Sequence, residues 1–148
     1  MSYSDARAHR PVVESREVWA GRIFSVASDE VQLSGGTVTR EWIDHPGAVA
    51  IVALDDDDRV ALIRQYRHPV RGELWEIPAG LLDVEGEDYL EAAKRELAEE
   101  TDLVASEWSV LVDYFCTPGA SNESLRIFLA RGISDAPEVH EREDEEAE

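Results

Sequence analysis

Three glutamates spaced along one predicted helix are the residues of this sequence best suited to do chemistry together. Glu96, Glu99 and Glu100 lie in EDYLEAAKRELAEET (87–101), which consists mainly of strong helix formers. At about 100° of rotation per residue, their carboxylates fall within an arc of about 100° on one helix face. An apolar stripe runs beside that arc and consists of Leu90, Ala93 and Leu97. We therefore expect the three carboxylates at the margin of the protein core.

Three like charges at such a margin repel one another, and the helix offers one well-placed cation. Arg95 stands four residues before Glu99 and can offset that carboxylate. A hard divalent cation would relieve the remaining repulsion, and oxygen ligands of this kind suit Mg²⁺ or Mn²⁺. A solvated acidic helix face is the alternative. The loop that begins at Pro78-Ala79-Gly80 favours a metal site, because it brings backbone groups towards the start of the helix.

The segment GLLDVEGEDYLEAAKRELAEETDL (80–103) resembles the Nudix box of the Nudix hydrolases. That box reads G, five residues, E, seven residues and then REUxEExGU, where U is aliphatic. This sequence departs from it twice, because six residues separate Gly80 from Glu87 and because Asp102 replaces the late glycine. The first change lengthens the loop. The second is compatible with a helix end of positive φ, which Asp tolerates better than most non-glycine residues.

The resemblance implies that water is added at phosphorus to cleave a nucleoside diphosphate derivative. It implies a metal site that contains Glu96, Glu99 and Glu100, with a contribution from the Ala79 carbonyl. It also implies catalytic roles for Arg95, which holds the carboxylates in place, and for Glu99. The expected cofactor is Mg²⁺, with Mn²⁺ as the second choice. Such an ion neutralises a diphosphate that an acidic protein would otherwise repel, and it lowers the pKa of a bound water.

Segments around the box resemble the ADP-ribose pyrophosphatase branch of the same family. They are QYRHPVRGELWEIPAGLLD (65–83) and Pro118, a marker proline fifteen residues after Leu103. This resemblance implies cleavage of ADP-ribose to AMP and ribose 5-phosphate. It also implies a catalytic base from a late acidic loop, for which REDEEAE (142–148) offers Glu146 first and Glu145 second. The expected substrate-binding residues are Gly80, Arg67, Arg40, Trp42 and Pro118.

Strand geometry selects among some of these candidates. Arg64 and Arg67 stand three apart on a predicted strand and point to opposite faces, so we favour Arg67 alone for the site. Arg40 and Trp42 share a strand face, and the resemblance gives an aromatic residue there an adenine-stacking role. Packing in a core or interface is the alternative for Trp42. A plain turn proline is the alternative for Pro118.

Three other functions remain open at this point. One is the same catalytic apparatus acting on another nucleotide, such as a nucleotide sugar or an oxidised nucleoside triphosphate. Another is a non-catalytic sensor that binds ADP-ribose, which the retained glutamates disfavour. The last is an acidic structural domain without activity.

The elements that must position these residues follow the order β-rich, one helix, β-rich, which predicts an α+β fold with a mixed sheet. AVAIVAL (48–54) is a continuous apolar run typical of a buried central strand. We expect residues 60–67 to pair back on it across a solvated turn at Asp55–Asp58. The other predicted strands are 12–20, 23–33, 37–45, 108–115 and 125–133, with a hairpin turn at Gly35-Gly36. The resemblance implies the Nudix fold, in which the box forms a loop–helix–loop.

Composition limits the partners of the chain. Its 148 residues include 33 acidic and 14 basic side chains, and the net charge of -19 argues against nucleic acid or an anionic membrane. No apolar run approaches the roughly 20 residues that cross a bilayer. The lone cysteine, Cys116, fits a reducing compartment, so we expect a cytoplasmic protein.

We predict a flexible N-terminus (1–11), an N-terminal β-arm (12–45) and a Nudix hydrolase domain (46–148). The arm suggests a homodimer that forms by exchange of N-terminal strands, as in relatives. The resemblance further implies a strand and a helix that would follow Glu148 and that this sequence does not include.

Overall fold

β-strands make up most of the ordered structure, which a computed structural model describes for residues 4–137. The chain forms two units: residues 4–45 with 117–122, and residues 46–116 with 123–137. The elements are β1 (Val12–Ala20), β2 (Ser25–Leu33), β3 (Gly36–Asp44), β4 (Ala48–Ala53), β5 (Ile63–Arg67), β6 (Gly72–Glu76), β7 (Ala79–Leu81), α1 (Tyr89–Thr101), β8 (Leu103–Phe115) and β9 (Ser124–Asp135). Mixed sheets and one helix confirm the predicted α+β class.

The first unit contains a three-stranded antiparallel sheet in the order β1-β2-β3. All three strands lie where the alternating sequence predicts them. Leu33 pairs with Gly36, so the hairpin turn consists of Ser34 and Gly35, one residue earlier than expected. Gly36 is instead the first residue of β3, and its φ of 124° is one that side chains with a Cβ rarely adopt. Every residue of β1 is exposed.

The second unit contains a four-stranded sheet in the order β7-β4-β9-β8. β4 pairs parallel with β9 and antiparallel with β7, and β8 pairs antiparallel with β9. β4 is the predicted central strand, and its small and branched side chains are buried: Val49 and Ile51 are both 0% exposed.

The predicted pairing of residues 60–67 with 48–54 is wrong for most of its length. An isolated bridge joins Leu54 to Val60, and the Ala61 N–H donates to the Ala53 carbonyl at 3.0 Å. From Ile63 onward the chain forms β5, which pairs with β6 as a separate two-stranded sheet. Glu76, at the end of β6, faces Ile63 across this ladder. Sequence alternation identifies a strand but does not select its partner.

Helix α1 begins and ends at residues that suit its termini. The Asp88 carboxylate accepts a hydrogen bond of 2.8 Å from the Leu90 N–H and caps the N-terminus. At the other end Asp102 adopts the left-handed conformation, with φ 56° and ψ 30°, and its N–H donates to the Ala98 carbonyl. The sequence therefore identified this residue correctly as the substitute for a helix-ending glycine.

The core of the second unit lies between α1 and the four-stranded sheet. Its buried members are Val49, Ile51, Ala53, Ala92, Ala93, Leu97, Phe128 and Ala130. Leu90 packs against this cluster while partly exposed, so the predicted apolar stripe of the helix does face the core. Among residues 4–137, no helix is long and apolar enough to cross a membrane.

Candidate active site

The three glutamates lie beside the buried face of α1, as their spacing predicts. Leu97 is fully buried against the sheet, and its neighbours Glu96 and Glu100 retain little exposure. The Glu96 side chain is 12% exposed and the residue Glu100 is 6% exposed, whereas the Glu99 side chain is 41% exposed. Burial of two carboxylates requires partners that offset the loss of hydration.

Arg95 provides one set of partners. Its Nε and Nη2 atoms donate to the two carboxylate oxygens of Glu87, each at 3.0 Å. Its Nη1 atom donates to Glu96 at 2.7 Å and to Glu99 at 2.9 Å. These bonds, with those to Glu87 the strongest, raise the pKa of Arg95, and the same contact lowers the pKa of Glu87. Arg95 thus holds Glu96 and Glu99 at a single nitrogen.

Glu100 is held by a different set of donors. The Ala79 backbone N–H donates to its Oε2 atom at 2.8 Å. The side-chain amide of Gln65 donates to its Oε1 atom at 3.3 Å. The strand β7 and the hairpin strand β5 therefore both reach the carboxylate that lies at the end of the helix.

Gly80 lies against Glu96 with no room for a side chain. A Cβ atom on this residue would lie 1.9 Å from the Glu96 Cδ atom, far inside van der Waals contact. The first glycine of the box is therefore needed because the carboxylate occupies the space next to the β7 backbone.

The donor set fits a hard divalent cation. Glu96, Glu99 and Glu100 offer carboxylate oxygens only, and such ligands suit Mg²⁺ and Mn²⁺. Within the described residues 4–137, no group of three or more histidine, cysteine, aspartate or glutamate side chains is arranged to hold a metal ion. Two of the carboxylates accept hydrogen bonds from Arg95, and the third accepts from the Ala79 N–H and the Gln65 amide.

The predicted substrate-binding residues lie in both units. Arg67 forms a two-pronged ion pair with Glu76 at 2.6 to 3.2 Å, and Arg64 pairs with Glu73 on the same hairpin. In the first unit, the Trp42 indole N–H donates to Asp29 at 2.9 Å, and Arg40 donates to the Thr39 carbonyl at 2.9 Å.

Pro118 lies in the turn between β8 and β9, in the segment that belongs to the first unit. The Ala120 and Ser121 N–H groups both donate to the Thr117 carbonyl around it. Glu145 and Glu146, the predicted catalytic bases, lie outside the described residues.

Two residues of this site received no role from the sequence. Glu87 is a fixed position of the box, but no local spacing rule pairs it with Arg95, because Glu87 precedes the helix. Gln65 lies within the segment before the box, but nothing in its spacing indicates contact with Glu100, which lies 35 residues further along the chain.

Comparison with known proteins bears on the same region. A family model described as the NUDIX domain matches residues 44–148. The chain is 48% identical over 134 residues to the ADP-ribose pyrophosphatase of Mycobacterium tuberculosis, covering 88% of this chain and 65% of that protein. It is 32% identical over 135 residues to the ADP-ribose pyrophosphatase of Bacillus subtilis, covering 90% of this chain and 72% of that protein.

A solved structure gives a similar result. A crystal structure of an ADP compounds hydrolase superposes with a TM-score of 0.75 at 27% identity, covering 96% of this chain and 76% of that chain. The sequence thus spans less than two thirds of the mycobacterial relative and about three quarters of the structural one.

Proposed function

The chain belongs to the Nudix family, and we propose that it hydrolyses the diphosphate of ADP-ribose to AMP and ribose 5-phosphate. Water supplies the new P–O bond, and the bridging oxygen of the diphosphate leaves on the other phosphate. The proposal takes its substrate from two relatives that are named ADP-ribose pyrophosphatases.

One observation carries the catalytic part of the proposal: Arg95 gathers Glu87, Glu96 and Glu99 next to Gly80. An acidic surface does not require its carboxylates to be buried against a glycine or to share one guanidinium. An active site does, because catalysis of phosphoryl transfer depends on positioned charge.

Nudix hydrolases generally use a divalent metal ion, and Mg²⁺ is the ion proposed here, with Mn²⁺ as its substitute. Glu96, Glu99, Glu100 and the Ala79 carbonyl would hold it. When bound, such an ion neutralises the diphosphate and lowers the pKa of a water. Arg95 keeps the carboxylates positioned. Each carboxylate oxygen has more than one lone pair, so an oxygen that accepts a hydrogen bond can still bind a metal ion.

The remaining assignments are carried over from the resemblance. Arg67 would bind phosphate or ribose, and Trp42 would stack on adenine with Arg40 beside it on the same strand. Gly80 and Pro118 would shape the substrate site. Glu146, or else Glu145, would act as the catalytic base.

The proposal is tested by measuring AMP release from ADP-ribose with and without Mg²⁺. Wild type should be active only with the ion, and Glu100→Gln should lose at least about a hundredfold in kcat, as expected when a group that stabilises transition-state charge is removed. Glu91→Gln is the matched control, because Glu91 is an exposed glutamate of the same helix that pairs with Lys94. Equal rates in all of these assays would refute the mechanism.

A broader nucleotide specificity is the second candidate. It is favoured by the similarity to an ADP compounds hydrolase, whose name specifies no single substrate. Comparison of kcat/KM for ADP-ribose, a nucleotide sugar and an oxidised nucleoside triphosphate separates the candidates. An ADP-ribose sensor would instead bind ADP-ribose in this assay without releasing AMP.

The partners and location of the protein complete the proposal. We assign it a homodimeric state, because β1 exposes apolar side chains at both of its ends: Val12, Val13, Val18 and Trp19 are each more than half exposed. The single cysteine supports the proposed cytoplasmic location.

A further inference from the structure

Gln65 occupies a position on β5 from which its side chain reaches the helix that carries the glutamates. The burial of β5 alternates, with Ile63 and Gln65 half-buried and Arg64 and Tyr66 exposed. Gln65 therefore points towards the interior of the second unit. It lines a cavity of about 440 Å³ together with Ile63, Arg64, Glu100, Thr101 and Leu103.

The contact between Gln65 and Glu100 has a defined direction. An ionised carboxylate can only accept hydrogen bonds, so the amide nitrogen and not the amide oxygen must face it. The distance from Nε2 to the Glu100 Oε1 atom is 3.3 Å, while the other carboxylate oxygen accepts from the Ala79 N–H at 2.8 Å. Donors from two strands thus hold the two oxygens of one buried carboxylate.

This arrangement leaves the other end of the amide unsatisfied. The Gln65 Oε1 atom is buried and has no hydrogen-bond partner among the described residues. Buried polar atoms without a partner are rare, and they call for an explanation because they oppose folding. An apolar side chain of similar size would avoid the penalty, so the interior packing alone does not explain a glutamine here.

We propose that Gln65 is a positioning residue that orients Glu100 for metal binding; this inference rests on the proposed function. A neutral amide suits that task better than a cation would. It fixes the carboxylate through a hydrogen bond but leaves its negative charge for the metal ion. Lysine or arginine at this position would neutralise the same charge and compete with the ion.

The test measures Mn²⁺ binding to the full chain without substrate, by isothermal titration or by the electron paramagnetic resonance of free Mn²⁺. Gln65→Met preserves the side-chain length and removes both polar groups. We expect its affinity for Mn²⁺ to fall about tenfold, the lower end of the usual effect of losing a partner of a metal ligand. Gln65→Asn, which is one methylene shorter, provides the second variant if Gln65→Met does not fold.

Thermal unfolding without metal separates positioning from a structural role. Gln65→Met removes an unsatisfied buried oxygen but also one donor to the buried Glu100 carboxylate. Because these two effects oppose each other, its metal-free Tm should stay close to that of wild type. A residue needed only for packing would show the opposite, a lower Tm with unchanged affinity for Mn²⁺. Gln32→Met is the matched control, because Gln32 is an exposed strand residue of the first unit, and neither quantity should change in it.

A double variant shows whether Gln65 acts through Glu100. Gln65→Met should weaken Mn²⁺ binding no further once Glu100→Gln is present, whereas independent effects would multiply. If Glu100→Gln binds Mn²⁺ like wild type, the proposed metal site itself fails. If Glu100→Gln weakens binding and Gln65→Met does not, only the role of Gln65 is refuted.

Discussion

The contact between Gly80 and Glu96 shows why one residue type is needed at the start of the box. The glycine has no special backbone angle here, so its role is to leave space for the Glu96 carboxylate. The spacing of the box alone could not reveal this, because a sequence pattern does not show which side chain fills which space.

Gly80→Ala should therefore impair both folding and activity. The added Cβ must push the Glu96 carboxylate away from its place at Arg95. Because the displaced atoms are the end of a flexible side chain, the loss of unfolding free energy should stay near the lower end of the usual range for overpacking, about 1 kcal/mol. We expect hydrolysis of ADP-ribose to fall at least about tenfold, since misplacement by about 1 Å can cost a factor of about 100. Urea unfolding and steady-state kinetics measure the two effects.

Gly35→Ala is the control for this prediction, because a Cβ at Gly35 would meet no atom within 4 Å. It should change neither quantity appreciably. An alanine at position 80 that left activity and stability intact would show that Glu96 can be held elsewhere without loss.

Some contacts between individual side chains could be predicted from the sequence, and others could not. Helical periodicity placed Glu96, Glu99 and Arg95 together correctly, because neighbours on a helix are determined by their spacing. The contact of Gln65 with Glu100 joins two elements far apart in the chain, and no local rule predicts it. No local rule predicts how the carboxylates of the proposed metal site are oriented either.

Among the secondary-structure elements, α1 ends at Asp102, an aspartate in the left-handed conformation. Residues 48–53 and the helix were predictable because their apolar patterns are long and regular. The pairing of β5 with β6 was not, since a short alternating strand can pair with several partners. The helix end is the most local of these features, and substitution tests it directly.

Substitutions at Asp102 should follow the tolerance of each residue for positive φ. Asp102→Val should lower the unfolding free energy by about 1 kcal/mol, because the β-branched valine bears the full left-handed cost of about 1–2 kcal/mol, which the short polar side chain of aspartate partly avoids. Asp102→Gly should cause no comparable loss, because glycine adopts a φ of 56° without steric cost. Denaturant unfolding of the two variants and wild type gives the order, and a valine variant as stable as the glycine variant would contradict it.

The ion pair between β8 and β9 should make stability depend on pH. Arg126 donates to both oxygens of Asp113 at 2.8 Å, and this hydrogen bonding lowers the pKa of Asp113 from its ordinary value. Because the pKa of Asp113 is lower in the folded chain, the unfolded chain takes up the proton first as pH falls. The stabilisation is therefore complete above the ordinary aspartate pKa and is lost as pH falls through the lowered pKa of the folded chain. Because both side chains are partly exposed, the contribution should stay under about 1 kcal/mol.

Asp113→Asn should therefore reduce the unfolding free energy slightly at about pH 7 and have a smaller effect at about pH 3. Denaturant titrations at the two pH values measure the difference. Repeating them in an Arg126→Gln background provides the control, since the pH-dependent part should vanish with its partner. An effect that persisted in that background would assign it to another contact.

At the scale of the whole molecule, the net charge of -19 is concentrated in short segments. Residues 83–102 contain nine acidic side chains against Lys94 and Arg95, and this is the segment that carries the candidate metal site. The Asp55–Asp58 segment is a turn in which Asp55 pairs with Arg59, so the prediction of a solvated turn is confirmed. The acidic tail lies outside residues 4–137. Charge alone could not distinguish these segments, because the distinction depends on burial.

The exposed apolar side chains of β1 make the oligomeric state of the protein testable. Wild type should have a mass of twice 16.6 kDa in analytical ultracentrifugation, because apolar side chains on β1 are expected to be covered by a second copy. Val18→Glu should raise the dissociation constant at least about tenfold, since a charge buried in an interface without a partner costs several kcal/mol. Val70→Glu changes another exposed valine, which lies between β5 and β6, and should not affect the mass. A wild-type mass of one chain at every concentration would refute the dimer, and an equal effect of both variants would mean that β1 is not its interface.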